Sequence, residues 1–209
     1  MKFAEEGYPF IGFFAIVTAA VLLAWPAWIA LLPLALTLFM AYFFRDPDRS
    51  TPGGEDLFVS PADGKVIVLQ TISESQFIKS EMLQISIFMS PLDVHVNRAP
   101  CDGVVNEVVH SSGKFLSAFK PEASLQNENI AMTMDTKYGT ILVKQIAGFV
   151  ARRAVCRVSP GDSLKKGERY GVIKFSSRVD IFLPLSTVPM VKLGDIVTAG
   201  ETILGHIQH

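Results

Sequence analysis

Hydrophobic and polar positions divide this chain into two textures. Residues 10–44 form a run of 35 positions without a charge. Beyond residue 50 the apolar residues fall into short segments, many alternating with polar ones, between Gly- and Pro-containing turns. The long run exceeds the apolar core of a secretory signal, about 7–15 residues. It ends in Arg45-Asp46-Pro47-Asp48-Arg49 rather than at a small-residue cleavage site. As one helix at about 1.5 Å per residue it would reach about 52 Å, against a hydrocarbon core of about 30 Å. Trp25-Pro26-Ala27-Trp28 interrupts its middle, and Pro33 follows. Proline breaks helices, and tryptophan favours the membrane–water interface. The pattern predicts two short helices, about 10–25 and 28–44, as a hairpin or re-entrant pair attached to a membrane. Cationic residues are sparse on both flanks, so they specify orientation only weakly.

Ser50-Thr51-Pro52-Gly53-Gly54 reads as a linker, which divides the chain into a membrane-associated part, 1–49, and a body, 50–209. Strand-like runs dominate the body. Residues 65–70 are rich in β-branched side chains, and Leu83-Gln84-Ile85-Ser86-Ile87 alternates as a half-buried strand does. Similar runs cover 103–109, 130–134, 140–146, 154–158 and 179–183, and only 114–119 suggests a helical turn. The fold class expected is a mainly β body with an N-terminal two-helix membrane hairpin.

The segment 158–168 repeats at 191–201, offset by 33, with Gly-Asp in a turn, a short strand and a second glycine turn in each copy. The pattern looks like the hammerhead units of lipoyl- and biotinyl-type domains. Ser60-Pro61-Ala62-Asp63-Gly64-Lys65-Val66 looks like a further hairpin of that kind. Such a carrier needs a lysine exposed at a hairpin tip. Between the two copies stands Ser176-Ser177 instead.

Charge narrows the classes. The net charge is −1, and residues 45–209 hold 18 basic and 18 acidic side chains, so no strong pull toward nucleic acid is expected. Cys101 and Cys156 are too few for a disulfide scaffold, which favours a reduced body facing the cytoplasm. Four scattered histidines without a paired spacing argue against a metal site.

Three separated segments hold the candidate chemistry: Ser60-Pro61-Ala62-Asp63-Gly64, then residues 88–100 with His95 and Arg98, then Phe175-Ser176-Ser177-Arg178-Val179-Asp180. Each alone has a plain structural reading. Asp-Gly is a common turn, an alternating run can carry a core histidine, and a strand serine is ordinarily a polar face. Together they supply an acid, a proton carrier and a hydroxyl.

These segments, in this order, resemble the short-type phosphatidylserine decarboxylase proenzymes of bacteria and archaea. The resemblance covers nearly the whole chain, including the apolar N-terminus before Arg-Asp-Pro, His110-Ser111-Ser112-Gly113-Lys114-Phe115 and Asn127-Glu128-Asn129. It implies that the Ser177 hydroxyl attacks the carbonyl of residue 176 and cuts the chain into a large piece, 1–176, and a small piece, 177–209. Residue 177 is left as a pyruvoyl group, the cofactor, which takes up the amine of phosphatidylserine or its archaeal ether-linked counterpart as a Schiff base and lets carbon dioxide leave. By the same resemblance Asp63 orients the base and His95 transfers protons. Longer-type relatives carry a second histidine where this chain has Arg98. The base for self-cleavage therefore stays open between His95 serving both steps and help from His110. Arg98 either holds the lipid phosphate or carboxylate or makes a local ion pair. The partners implied are phosphatidylserine in the membrane and the two pieces of the same precursor, and a homodimer is compatible. Ser176 departs from the family's glycine. A non-enzymatic membrane adaptor with a lipoyl-like body, and a precursor inactive or trapped by Ser176, are the alternatives.

Overall fold

The computed structural model describes residues 2–113, 127–148, 154–174 and 177–208. Phe175, Ser176, His209 and the turn expected at 114–119 lie outside them. The chain divides into two compact units, Met1–Asp48 and Arg49–His209.

The first unit is the expected helical hairpin. Helix α1 spans Tyr8–Ala24, and Trp25, extended ahead of Pro26, ends it. A 3-10 turn, Ala27–Ala30, leads into α2, Leu31–Phe43. Pro33 lies in the first turn of α2, where its missing N–H costs no helical hydrogen bond. The two helices meet through the hydroxyls of Thr18 and Thr37, 3.2 Å apart, each of which also donates to a carbonyl one turn back. Apolar side chains cover the outside, with Leu23 90 % exposed and Ile16 and Trp28 each 72 % exposed. Water does not favour such a surface. The helical stretch Glu5–Ala24 is long and apolar enough to cross a membrane.

The second unit is mainly β. Its strands are β1 (Leu57–Val59), β2 (Gly64–Glu74), β3 (Ser80–Met89), β4 (Val96–Arg98), β5 (Gly103–Ser111), β6 (Asn129–Thr136) and β7 (Gly139–Ala147). They continue with β8 (Ala154–Cys156), β9 (Ser163–Leu164), β10 (Arg169–Ile173), β11 (Ser177–Leu183), β12 (Thr187–Pro189), β13 (Ile196–Val197) and β14 (Ile203–Ile207). Eight of them form one sheet in the order β13-β2-β3-β11-β7-β6-β5-β9. Two three-stranded sheets, β1-β14-β12 and β4-β10-β8, complete the unit. Ile85, Ile87, Val143, Val179 and Ile181 project from the middle of the large sheet into the main core.

The 33-residue repeat lands as two matching turns at opposite edges of the large sheet. Gly161 and Gly194 have φ of 95° and 93°, and Gly167 and Gly200 have 81° and 74°. These left-handed conformations need glycine. Asp162 and Asp195 each accept the N–H three residues back, from Ser159 at 2.8 Å and Lys192 at 3.0 Å. The first copy binds Val105 and the second binds Val66 by the same pair of backbone hydrogen bonds. Asp63 and Asp102 are equivalent under this symmetry. Asp63 accepts the N–H of Ala199 at 2.8 Å, and Asp102 accepts that of Lys166 at 2.7 Å.

Gly64 sets the approach of the first candidate segment to the second. Its φ is 148°, and a Cβ there would lie 2.1 Å from the Phe88 carbonyl oxygen. Gly64→Ala is expected to cost about 3 kcal/mol, lowering the melting temperature by roughly 6–12 °C in a thermal unfolding scan. An unchanged melting temperature would show that β2 and β3 can separate there without loss.

Candidate active site

Ser177 opens β11, the central strand of the large sheet. It is fully buried, and it pairs with Met89 on β3 and Ala147 on β7. Its Oγ donates to Met89 Sδ at 3.3 Å. A thioether is a weak acceptor, so this contact does not lock the hydroxyl as a carboxylate would.

The other two segments converge on the same corner. Met89 begins the turn Ser90-Pro91-Leu92-Asp93, which the Asp93 carboxylate closes by accepting the Ser90 N–H at 2.7 Å. His95 follows, 1 % exposed, and its O accepts the N–H of Ile173 at 3.2 Å. Ile173 and Ser177, on either side of the junction, are thus tied to His95 and Met89. His95 Nδ1 lies 3.0 Å from the Asp93 carbonyl oxygen. A carbonyl only accepts, so Nδ1 carries the hydrogen and Nε2 is the basic nitrogen of the neutral ring.

Asp63 sits on the turn before β2. Besides the Ala199 N–H it accepts Arg49 Nη2 at 2.8 Å. Burial raises its pKa above the ordinary aspartate value, and nearby Asp93 pushes the same way, against the Ala199 bond and Arg49. Its symmetry mate Asp102 is shifted downward by the Lys166 N–H, with little burial to oppose it. The shared backbone bond is therefore structural. What sets Asp63 apart is its enclosure and its partner Arg49.

Two residues without an expected role bridge the segments. Asn97 Nδ2 reaches the Pro61 carbonyl at 3.4 Å and Met89 Sδ at 3.9 Å, and Asn97 Oδ1 accepts Gln145 Nε2 at 2.8 Å. Gln145 lies diagonally from Ser177 on the same sheet face, through the pairs Ser177–Ala147 and Val179–Gln145. Asn127 donates to the Ala147 carbonyl at 2.7 Å, and the Ala147 N–H donates to Glu128, which fixes the end of β7 beside Ser177.

Arg98 and His110 stand elsewhere. Arg98 is 5 % exposed, and its Nη1 donates to the Gly167 carbonyl at 2.9 Å, while its stem packs against Gly200. It joins the two repeat turns. His110 is exposed on β5, 3.2 Å from Glu128 Oε1. Three strand steps separate β5 from β11, roughly 14 Å along the sheet. No cluster of His, Cys, Asp and Glu suited to a metal ion occurs among the described residues.

Comparison with known proteins supplies the family. The phosphatidylserine decarboxylase family model matches residues 36–205. Proteins named phosphatidylserine decarboxylase proenzyme from Desulfotalea psychrophila and Syntrophus aciditrophicus are 45 % and 47 % identical to this chain. The matches cover 98 % and 97 % of it and 96 % of each relative. A third of that name, from Geotalea uraniireducens, is 47 % identical over 97 % of the chain and 95 % of its own length. The chain belongs to the phosphatidylserine decarboxylase family. It is a carboxy-lyase, present here as the proenzyme.

Proposed function

We propose that this chain cuts itself between residues 176 and 177 and then decarboxylates phosphatidylserine, or its archaeal ether-linked counterpart, with a pyruvoyl group made from Ser177. The observation that carries this reading is the Ser177 hydroxyl, buried at the start of the central strand and, among the described residues, held only by a thioether. Ser177 Oγ attacks the carbonyl carbon of residue 176, and the peptide becomes an ester. Loss of the Ser177 α-proton breaks the Cβ–O bond, leaving a carboxylate on residue 176 and dehydroalanine at 177. One water then replaces the nitrogen, which departs as ammonia.

The surroundings fit a keto group at 177. Met89 and Ala147 flank the position on the two neighbouring strands, and residue 177 is buried. A pyruvoyl group there supplies a ketone that captures the substrate amine and draws off the electrons released with carbon dioxide. His95 Nε2 is the group assigned to move protons, because the Asp93 carbonyl orients the ring. Asp63 is assigned to stabilise that charge from the neighbouring turn. The N-terminal hairpin keeps the body at the cytoplasmic membrane face, so a lipid substrate travels little to reach it.

Ser176 is expected to slow maturation. Glycine lets the peptide twist toward attack, and if that twist passes through the left-handed region a serine costs about 1–2 kcal/mol there, roughly 5–30-fold in rate. Ser176→Gly should therefore cleave faster in a time course on a denaturing gel. Equal rates would remove residue 176 from the account. The whole reading is tested by incubating the protein with phosphatidylserine vesicles and assaying phosphatidylethanolamine and carbon dioxide.

A further inference from the structure

On the side of the large sheet away from Ser177, a cleft of about 370 Å³ opens beside Arg178, Asp180, Gln84 and Lys144. Successive strand residues face opposite ways, so Arg178 points away from the corner that holds Ser177. Val68, Ile72 and Phe182 give the cleft an apolar wall.

Its polar groups are unevenly matched. Arg178 is 2 % exposed. Its Nε donates to Asp180 Oδ1 at 2.5 Å and its Nη2 to Ser86 Oγ at 2.8 Å. Arg178 Nη1 is buried and has no hydrogen-bond partner among the described residues. Lys144 is also buried and donates to Gln76 Oε1 at 3.1 Å. The acceptors nearby are engaged. Glu74 takes the N–H groups of Gln76, Phe77 and Ile78 at 3.0, 2.9 and 2.7 Å. Gln84 Oε1 accepts Gln70, and Asp180 Oδ2 lies 3.4 Å from Gln84 Nε2. Burial holds the Lys144 pKa below its ordinary value, although Asp180 and Glu74 pull the other way. A buried guanidinium nitrogen without an acceptor is costly, and a planar arginine fork suits carboxylate and phosphate oxygens.

We propose that this cleft is a second ligand site that holds a small oxyanion, a phosphate ester or carboxylate, between Arg178 Nη1 and Lys144 Nζ. The proposal is independent of the chemistry at Ser177. Two sources can supply the group, a phospholipid headgroup or a soluble phosphate ester.

Calorimetric titration of the full-length protein in neutral detergent separates them. The probes are glycerol 3-phosphate and dihexanoyl phosphatidylglycerol below its micelle concentration. Saturable one-to-one binding is expected from at least one, weakened about tenfold or more by Lys144→Met and abolished by Arg178→Gln. Tighter binding of the lipid identifies a headgroup as the natural source, and equal or tighter binding of glycerol 3-phosphate identifies a soluble ester. Because Arg178→Gln disturbs the buried pair with Asp180, Lys144→Met is the deciding variant, checked for an unchanged melting temperature. Absence of saturable binding by both probes, or binding that survives Lys144→Met, overturns the proposal.

Discussion

Replacing Ser177 by alanine is expected to leave the chain in one piece and to abolish decarboxylation to the limit of detection. Without Oγ no ester forms at the 176 carbonyl, and without the ester no ketone is made. The protein should nevertheless fold. Ser177 contributes one weak hydrogen bond, to Met89 Sδ, and its strand pairing uses backbone groups that alanine retains. The stability change should stay within about 1 kcal/mol. Intact-mass measurement, a thermal scan and a phosphatidylserine assay on the same sample check all three statements. An intact Ser177→Ala chain that still forms ethanolamine phospholipid would place the chemistry elsewhere.

The second large effect is expected at His95. A positioned general acid–base contributes about 10²–10⁴-fold. His95→Asn retains a donor near the Nδ1 position, so the contact with the Asp93 carbonyl can survive while Nε2 is lost. The variant should lose about 10²-fold or more in self-cleavage, decarboxylation or both. A gel time course reports the first, and turnover normalised to the cleaved fraction reports the second. Wild-type rates in both would exclude His95. The same assays carry a pH signature from Asp63. Burial favours its protonated form, so its acid limb should lie above that of a free aspartate. For stability the sign is opposite to that of a carboxylate whose pKa is lowered on folding, because burial outweighs the Arg49 ion pair. The contribution of the shift is fully present below the unfolded-state pKa and is lost as pH rises through the higher folded value. Asp63→Asn should remove the limb.

The features legible in the sequence were those set by local pattern. The uncharged run at 10–44 could only be an apolar helical segment, and Pro26 placed its break within two residues of the end of α1. Alternation at 83–87 marked β3, but not its burial: the strand is enclosed on both faces, with Gln84 and Ser86 buried like Ile85 and Ile87. Glycine and aspartate at matched positions marked the two repeat turns, because left-handed φ and a side-chain cap are both local demands. Contacts between distant segments were not legible. Asn97 meets Gln145 across 48 positions, and Arg178 meets Ser86 across 92. Neither pair has a spacing that betrays it. The burial of Arg98 between the repeat turns was equally hidden, since its guanidinium reads the same beside a lipid phosphate or a backbone carbonyl.

The most direct measurement is the intact mass of the purified wild-type protein after incubation in phosphatidylserine vesicles, with lipid products assayed from the same tube. A 177–209 fragment lighter by one ammonia than its serine-started peptide is expected, appearing in step with phosphatidylethanolamine. Lipid turnover by a chain that remains uncut would contradict the account.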